Sequence, residues 1–338
     1  MKSKGIIRVE ANSSIGMGHA MRAFSLCEML LPESSITIVF RDMPEKTKQE
    51  FIKLGCDLIC LEEINPSEEF FYAKTITGNI DFVIVDGYSF LDKFKLDVKS
   101  FGDRLVIIDD NADLSFEADL VINHSPGLKP SNYPLIKSCN LCLGLDYVML
   151  RSDFLQQDSQ LNKKEEKKKG VLVCLGGSDP MRLSNKIVDL LLSFTDEIIH
   201  CVLGELNSNF DSYYNNQIIN KRLFLHKGLT SLEMRNLMRR SRVGICTSST
   251  ISLECIASRL PIVVGWSEDN QRNIYDGITE KGLALGVGKF EDLNHDLISS
   301  SIISLVKNNK IRKSMIDSHI SSLDLKSTLR IKEAILKI

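Results

Sequence analysis

The sequence predicts an α/β protein of two domains, each a parallel sheet covered by helices on both faces. Three observations carry this. Short apolar runs alternate with segments of helical periodicity, each run ends in a turn, and one charged stretch at 156–169 interrupts the alternation. Taken in order, the first run is Gly5-Ile6-Ile7-Arg8-Val9-Glu10-Ala11, which enters Asn12-Ser13-Ser14-Ile15-Gly16-Met17-Gly18-His19. Beyond it Ala20, Phe24, Cys27 and Leu30 recur at helical spacing, so His19 falls in the opening turn of a helix. Backbone N–H groups without intrahelical partners favour an anion there. Gly16 and Gly18 let a ligand approach the main chain, and histidine is the side chain suited to proton transfer near neutrality. The alternative is a tight turn with a histidine at a helix start.

Further strands are expected at 36–40, 58–61, 82–85, 105–108 and 120–122. The charged stretch, centred on Lys163-Lys164-Glu165-Glu166-Lys167-Lys168-Lys169, reads as a solvated linker between domains at 1–155 and 170–338. A second strand series follows at 170–175, 198–203, 223–226, 243–246 and 262–265. Residues 308–322 and 327–338 read as helices with a polar side, and either domain is open to them.

Composition excludes several classes. The chain has 338 residues, 43% hydrophobic and 25% charged, with a net charge of -2 that offers no field for nucleic acid. No run approaches the roughly 18 apolar residues of a spanning helix, so a cytoplasmic protein without membrane insertion is expected. Nine scattered cysteines, an odd number without paired metal spacing, suit buried reduced thiols. No disulfide framework, zinc site or cofactor is expected, and the oligomeric state is open.

The second domain carries three signals at strand ends. Gly176-Gly177-Ser178-Asp179-Pro180 precedes a helix at 183–192 and is either a phosphate contact or only a turn; it fits neither a Walker A loop nor a dinucleotide fingerprint. Thr247-Ser248-Ser249-Thr250 enters a helix closed before Leu260-Pro261, and its hydroxyls would cap that helix and bind a diphosphate. Glu254, one turn further in, suits the two hydroxyls of a ribose or simply the helix dipole. Trp266-Ser267-Glu268-Asp269-Asn270-Gln271 offers side-chain amides to sugar hydroxyls, or is plain turn chemistry.

Gly16-Met17-Gly18-His19, Asp86-Gly87-Tyr88, Asp109-Asp110, Leu143-Gly144-Leu145, Gly176-Gly177-Ser178-Asp179, the segment 247–261 and Asp269-Asn270-Gln271 occur in order over about residues 6–290. In this set the chain resembles the UDP-sugar hydrolases of pseudaminic acid biosynthesis, which are similar to MurG-type GT-B glycosyltransferases. The resemblance implies a GT-B-like fold, two Rossmann-like domains whose parallel sheets face across a cleft. It implies removal of UDP from UDP-2,4-diacetamido-2,4,6-trideoxy-β-L-altropyranose by water, without a metal and with inversion at the anomeric carbon.

Carried over by residue, the resemblance makes His19 the base on the attacking water, with Gly16, Gly18, Tyr88 and Asn270 at the sugar. Gly177, Ser178, Ser249 and Thr250 would cradle the diphosphate, Glu254 would hold the ribose, and the uracil would lie against the loop ending in Leu229. Two other readings stand beside this one. A GT-B glycosyltransferase would hand the sugar to an acceptor hydroxyl, and a sugar-nucleotide-binding protein would turn nothing over. Lipid-acceptor transferases of this architecture expose an apolar, basic-edged patch, and none is evident between residues 40 and 100.

Two positions depart from the pattern. Gly87 stands where these hydrolases usually have histidine in Asp-His-Tyr, and Glu10 stands where an Ala-Asp-Ala-like run is common. Tyr88 is otherwise expected to bond its hydroxyl to backbone, Asp109 and Asp110 to serve either the cleft or a turn, and His124 to be an exposed loop histidine.

Overall fold

The computed structural model describes residues 2–10, 17–88, 92–100, 104–112, 118–134, 139–156, 168–176, 182–204, 221–292 and 294–337. The chain forms two compact units, Met1–Ser152 with Lys326–Ile338, and Asp153–Leu325. Most of the charged stretch at 156–169 lies outside the described residues.

The first unit holds a seven-stranded parallel sheet in the order β3-β2-β1-β4-β5-β6-β7. Its strands are β1 Ser3–Val9, β2 Ser34–Phe40, β3 Asp57–Cys60, β4 Phe82–Asp86, β5 Arg104–Ile108, β6 Leu120–Asn123 and β7 Asn140–Leu143. The helices α1 Gly18–Leu30, α2 Glu45–Leu54, α3 Glu69–Thr77 and α4 Asp92–Ser100 connect them. Alternate residues of the central strands, among them Ile6, Val39, Val83, Val85, Leu105 and Ile107, pack against Phe70 of α3 and Phe94 and Val98 of α4. A charge interrupts this apolar pattern at Arg8, one residue before the end of β1. Glu69 of α3 meets it at 2.9 Å and also accepts from Arg41 at 2.5 Å, so the buried ions are paired and tie α3 to the sheet.

The second unit holds a six-stranded parallel sheet in the order β10-β9-β8-β11-β12-β13. Its strands are β8 Val171–Cys174, β9 Ile199–Leu203, β10 Leu223–Lys227, β11 Val243–Thr247, β12 Ile262–Trp266 and β13 Leu285–Lys289. The helices described here are α5 Leu183–Phe194, α6 Ser231–Arg240, α7 Thr250–Ala257, α8 Arg272–Glu280, α9 His295–Lys307 and α10 Asn309–Ser322. Val171, Val173, Ile245 and Val263 pack with Ile187 and Leu191 of α5 and Ile298 and Ile302 of α9. The last helix, α11 Ser327–Leu336, belongs to the first unit, where Ile331 and Ile335 are buried and Arg104 donates to the Ile335 carbonyl.

Both sheets reverse their strand order once, between β1 and β4 and between β8 and β11, and the crevice beyond the strand ends at such a point is where open α/β sheets bind ligands. Two edge strands, β7 and β13, were not anticipated. Each buries a single residue and β13 carries Gly286 and Gly288, so neither shows the apolar run of a central strand. A second correction concerns the surface of residues 40–100. Phe71, Tyr72 and Ile76 of α3 and Leu96 of α4 are exposed, Ile76 at 56%, and the Lys93 ammonium stands 5.4 Å from the Phe71 ring. The adjacent pair Phe70-Phe71 masks this, because helical geometry turns one ring inward and the other outward. No helix among the described residues is long and apolar enough to cross a membrane.

Candidate active site

His19 is the second residue of α1, and its buried face continues through Arg22, Ala23 and Leu26 at helical spacing. That face meets the C-terminal ends of β4 and β5. The His19 Nδ1 lies 2.7 Å from Asp86 Oδ1. Arg22 donates through Nε to Asp86 Oδ2 at 2.8 Å and through Nη2 to Asp86 Oδ1 at 2.5 Å. It also donates to both oxygens of Asp110, at 2.5 and 3.1 Å.

The carboxylate is the strongest acceptor near Nδ1, so we assign the ring proton to Nδ1, donating to Asp86. The 3.0 Å approach of Arg22 Nη2 to Nδ1 is then proximity between two donors that share Asp86 Oδ1. This tautomer leaves the Nε2 lone pair as a proton acceptor. It is the arrangement that orients a histidine base.

Burial alone would raise the Asp86 carboxyl, but the charge of Arg22, together with the hydrogen bonds from Arg22 and His19, overrides it and holds it below the ordinary range. Asp110 is likewise held well below that range, burial being outweighed by the Arg22 charge and its hydrogen bonds. For Arg22 burial disfavours the cation, and the two carboxylates more than offset it.

Tyr88 closes the group. It is 49% exposed, its ring meets the His19 ring edge-on at 4.9 Å, and its hydroxyl donates to Asp110 Oδ2 at 2.5 Å. The expected backbone partner for that hydroxyl is thus replaced by a carboxylate. Asp109 and Asp110 divide the two roles left open for them. Asp109 accepts from Tyr133, Asn123 and the Ala112 main chain, which is turn and loop duty, while Asp110 belongs to the Arg22 cluster.

His124 is not an exposed loop histidine. It is 1% exposed, accepts from the Met149 N–H at 3.4 Å, and burial together with the Arg22 charge pushes it down to about 4. His319 in the second unit is also buried and lowered to about 4, its Nε2 donating to the Leu283 carbonyl. A histidine whose folded pKa lies below its unfolded value contributes fully above about pH 6.5, and that contribution is lost as pH falls towards 4. From 6.5 to about 4 each corresponds to about 3 kcal/mol at 1.36 kcal/mol per unit. The thermal midpoint is therefore expected to fall between pH 6.5 and 4, and His124→Gln should flatten its share. A pH-independent difference between that variant and the parent would refute this.

In the second unit, β11 leads into Ser248 and Ser249 and then α7. Ser248 is buried and its hydroxyl donates to the carbonyls of Gly265 and Gln271, each at 3.2 Å, which joins this turn to the loop after β12. Ser249 is the N-cap of α7, but contrary to expectation its hydroxyl makes no capping bond. It lies 3.1 Å from Thr247 Oγ1 instead, while the Ser249 carbonyl accepts from both the main chain and the hydroxyl of Ser252. Thr250 opens α7, Glu254 is buried within it, and Asn270 sits half-buried in the short turn Asp269–Gln271. Leu229 follows β10 and Gly228, whose φ of +68° suits glycine, and precedes the Thr230 cap of α6. Gly16, Gly177 and Ser178 lie outside the described residues. Gly18 is the first residue of α1.

The structure thus gathers His19 and Tyr88 in one unit, and Ser249, Thr250 and Asn270 on neighbouring strand ends of the other, with Glu254 in the helix between. Arg22 was missed by sequence reasoning, and Asp86 received no role. Arg22 stands three residues after His19, the spacing that shares a helix face, and that was the available signal.

No family model matches the chain. It is 26% identical over 295 residues to the uncharacterized protein MJ1062 of Methanocaldococcus jannaschii, a match covering 81% of this chain and 58% of that protein. It is 23% identical over 295 residues to the UDP-2,4-diacetamido-2,4,6-trideoxy-beta-L-altropyranose hydrolase of Campylobacter jejuni, covering 82% of this chain and 97% of the relative. The resemblance read from the motifs holds across most of the chain. Among solved structures, MurG of Acinetobacter baumannii superposes over the whole of both chains with a TM-score of 0.69 at 13% identity. A putative UDP-N-acetylglucosamine 2-epimerase of Listeria monocytogenes gives 0.63 at 14%, covering 100% of this chain and 98% of that one, and the calicheamicin glycosyltransferase CalG4 gives 0.63 at 12% over the whole of both. The fold is that of the GT-B glycosyltransferases, two Rossmann-like units with parallel sheets.

Proposed function

We propose that this chain is a hydrolase that cleaves UDP from a UDP-linked 2,4-diacetamido-2,4,6-trideoxyhexose with inversion, in nonulosonic (pseudaminic) acid biosynthesis in the cytoplasm. The observation that carries the reading is the 2.7 Å contact of His19 Nδ1 with Asp86, which turns Nε2 into a proton acceptor. Water is a poor nucleophile until deprotonated. In this reading Nε2 takes a proton from water as the water oxygen bonds to the anomeric carbon, and the C1–O bond breaks with its electron pair leaving on UDP. Asp86 and Asp110 against the single cation Arg22 leave one excess negative charge, which stabilises the imidazolium as it forms. Attack opposite the leaving group inverts C1. No metal or cofactor enters this chemistry.

The second unit holds the nucleotide. The N–H groups of Thr250 and Ile251 at the start of α7, not capped by the Ser249 side chain, suit the diphosphate, with Ser249, Thr250, Gly177 and Ser178 as its proposed cradle. Glu254 takes the ribose hydroxyls, and Leu229 stands at the uracil. In this reading the sugar is assigned to Gly16, Gly18, Tyr88 and Asn270. Glu254→Ala is expected to weaken UDP binding and raise KM about tenfold or more, the scale of losing charged hydrogen bonds, while kcat changes little. Quenching of Trp266, the single tryptophan, reports the affinity, and an unchanged Kd removes Glu254 from the ribose.

One observation favours the transferase as a second reading. Phe71, Tyr72 and Ile76 of α3 and Leu96 of α4 are exposed apolar side chains on the first unit, with Lys93, itself paired with Asp97, over the Phe71 ring, and a lipid acceptor would require exposed apolar residues of this kind. Incubating the protein with the UDP-diacetamido sugar and following UDP by NMR decides. Release in water alone supports the hydrolase, release only with an acceptor supports the transferase, and binding without release supports a sugar-nucleotide-binding protein.

A further inference from the structure

The two residues that set this chain apart from the hydrolases it resembles, Glu10 and Gly87, are distant in sequence and adjacent in the fold. Glu10 follows β1 and Gly87 follows β4, strands paired at Val9 and Asp86, and the Glu10 N–H donates to the Asp86 carbonyl at 3.2 Å. The Glu10 side chain is buried, and its Oε2 accepts the Tyr88 main-chain N–H at 2.7 Å. Gly87 has a φ of +152°, and a Cβ placed there would come within 2.5 Å of that same oxygen and 2.6 Å of Glu10 Cγ. A side chain at 87 and the carboxylate in its present place exclude one another. The two departures are therefore linked: the Glu10 side chain occupies the space that a residue-87 side chain would fill.

What that carboxylate holds is the start of the Tyr88 segment. Tyr88 is held at its other end by Asp110 and along its ring by His19, and its amide adds an anchor on the main chain. A charge-assisted bond to a part-buried main-chain N–H is short and strong, and its loss leaves that donor without its carboxylate. We propose that Glu10 is the positioning residue that sets Tyr88 as a wall of the site, and that glycine at 87 is the condition for it. The inference rests on the proposed hydrolase reading only for what Tyr88 faces, a sugar; the anchoring itself does not depend on it.

The test separates the two. The chain has seven tyrosines, so ¹⁵N-tyrosine labelling gives a short spectrum in which Tyr88→Phe identifies the Tyr88 amide. Glu10→Ala is expected to shift that resonance strongly, whereas Glu10→Gln, whose amide oxygen still accepts the N–H, keeps it near the parent position. With substrate, Glu10→Ala should raise KM about tenfold with kcat within about threefold, and Glu10→Gln should restore most of the KM. Gly87→Ala should cost less in a Glu10→Ala background than in the parent, since half of its conflict is gone. An unmoved Tyr88 resonance in Glu10→Ala, a Glu10→Gln variant that behaves like Glu10→Ala, or a moved resonance with unchanged KM each overturns the proposal. If no UDP is released by the parent protein, the hydrolase reading fails, and the resonance in ligand-free protein still decides the role of Glu10.

Discussion

Replacing His19 with alanine is expected to lower kcat by about 10²- to 10⁴-fold, the usual contribution of a positioned general base, while UDP affinity stays within about twofold of the parent. The expectation has two physical parts. The base role depends on the Nδ1 contact with Asp86, because that contact fixes which nitrogen carries the proton and supplies charge to the imidazolium. The unchanged affinity follows because the residues proposed to hold UDP belong to the other unit. UDP release measured at saturating substrate gives kcat, and Trp266 fluorescence gives the affinity. A variant with near-parent turnover would remove His19 as the base. A variant that also lost UDP binding would make His19 a nucleotide ligand, not an acid–base group.

The elements that carry His19, Tyr88 and Glu254 were legible because each residue is tied to a strand end or helix start that apolar periodicity reveals locally. Strands β7 and β13 were not, since an edge strand covered on little of its surface needs no apolar run. The charges around His19 were illegible for a different reason. An arginine in a helix is ordinarily solvated, and nothing near Arg22 in sequence hints at partners 64 and 88 residues away. Asp109 and Asp110 show the same limit at finer scale. Two identical neighbours after β5 received one reading between them, while the backbone sends the first to Tyr133 and Asn123 and the second to Arg22. His124 failed as an exposed residue because the loop that carries it is covered, a property of tertiary packing and not of composition.

Arg22→Met is expected to destabilise the first unit by about 3–5 kcal/mol near pH 7. Methionine preserves much of the stem volume, so the loss is electrostatic. Arg22 is buried and supplies four hydrogen bonds to Asp86 and Asp110, at 2.8, 2.5, 2.5 and 3.1 Å. Without it burial governs both groups and their folded pKa values rise above the ordinary carboxylate value of about 4. The sign of the pH dependence then distinguishes this mechanism from a packing defect. In the parent both carboxyls are held low, so their contribution is present above about pH 4 and is lost as pH falls through the folded values. In the variant both are raised, so stability is kept at low pH, where the carboxyls are neutral, and is lost as pH rises. His124 adds in the same direction, because the Arg22 charge that disfavours its protonation is gone. The gap between parent and variant should therefore widen from pH 4 towards pH 7. Urea unfolding of both proteins across that range measures it, and a gap independent of pH would assign the loss to packing and leave the buried carboxylates without the role given to them.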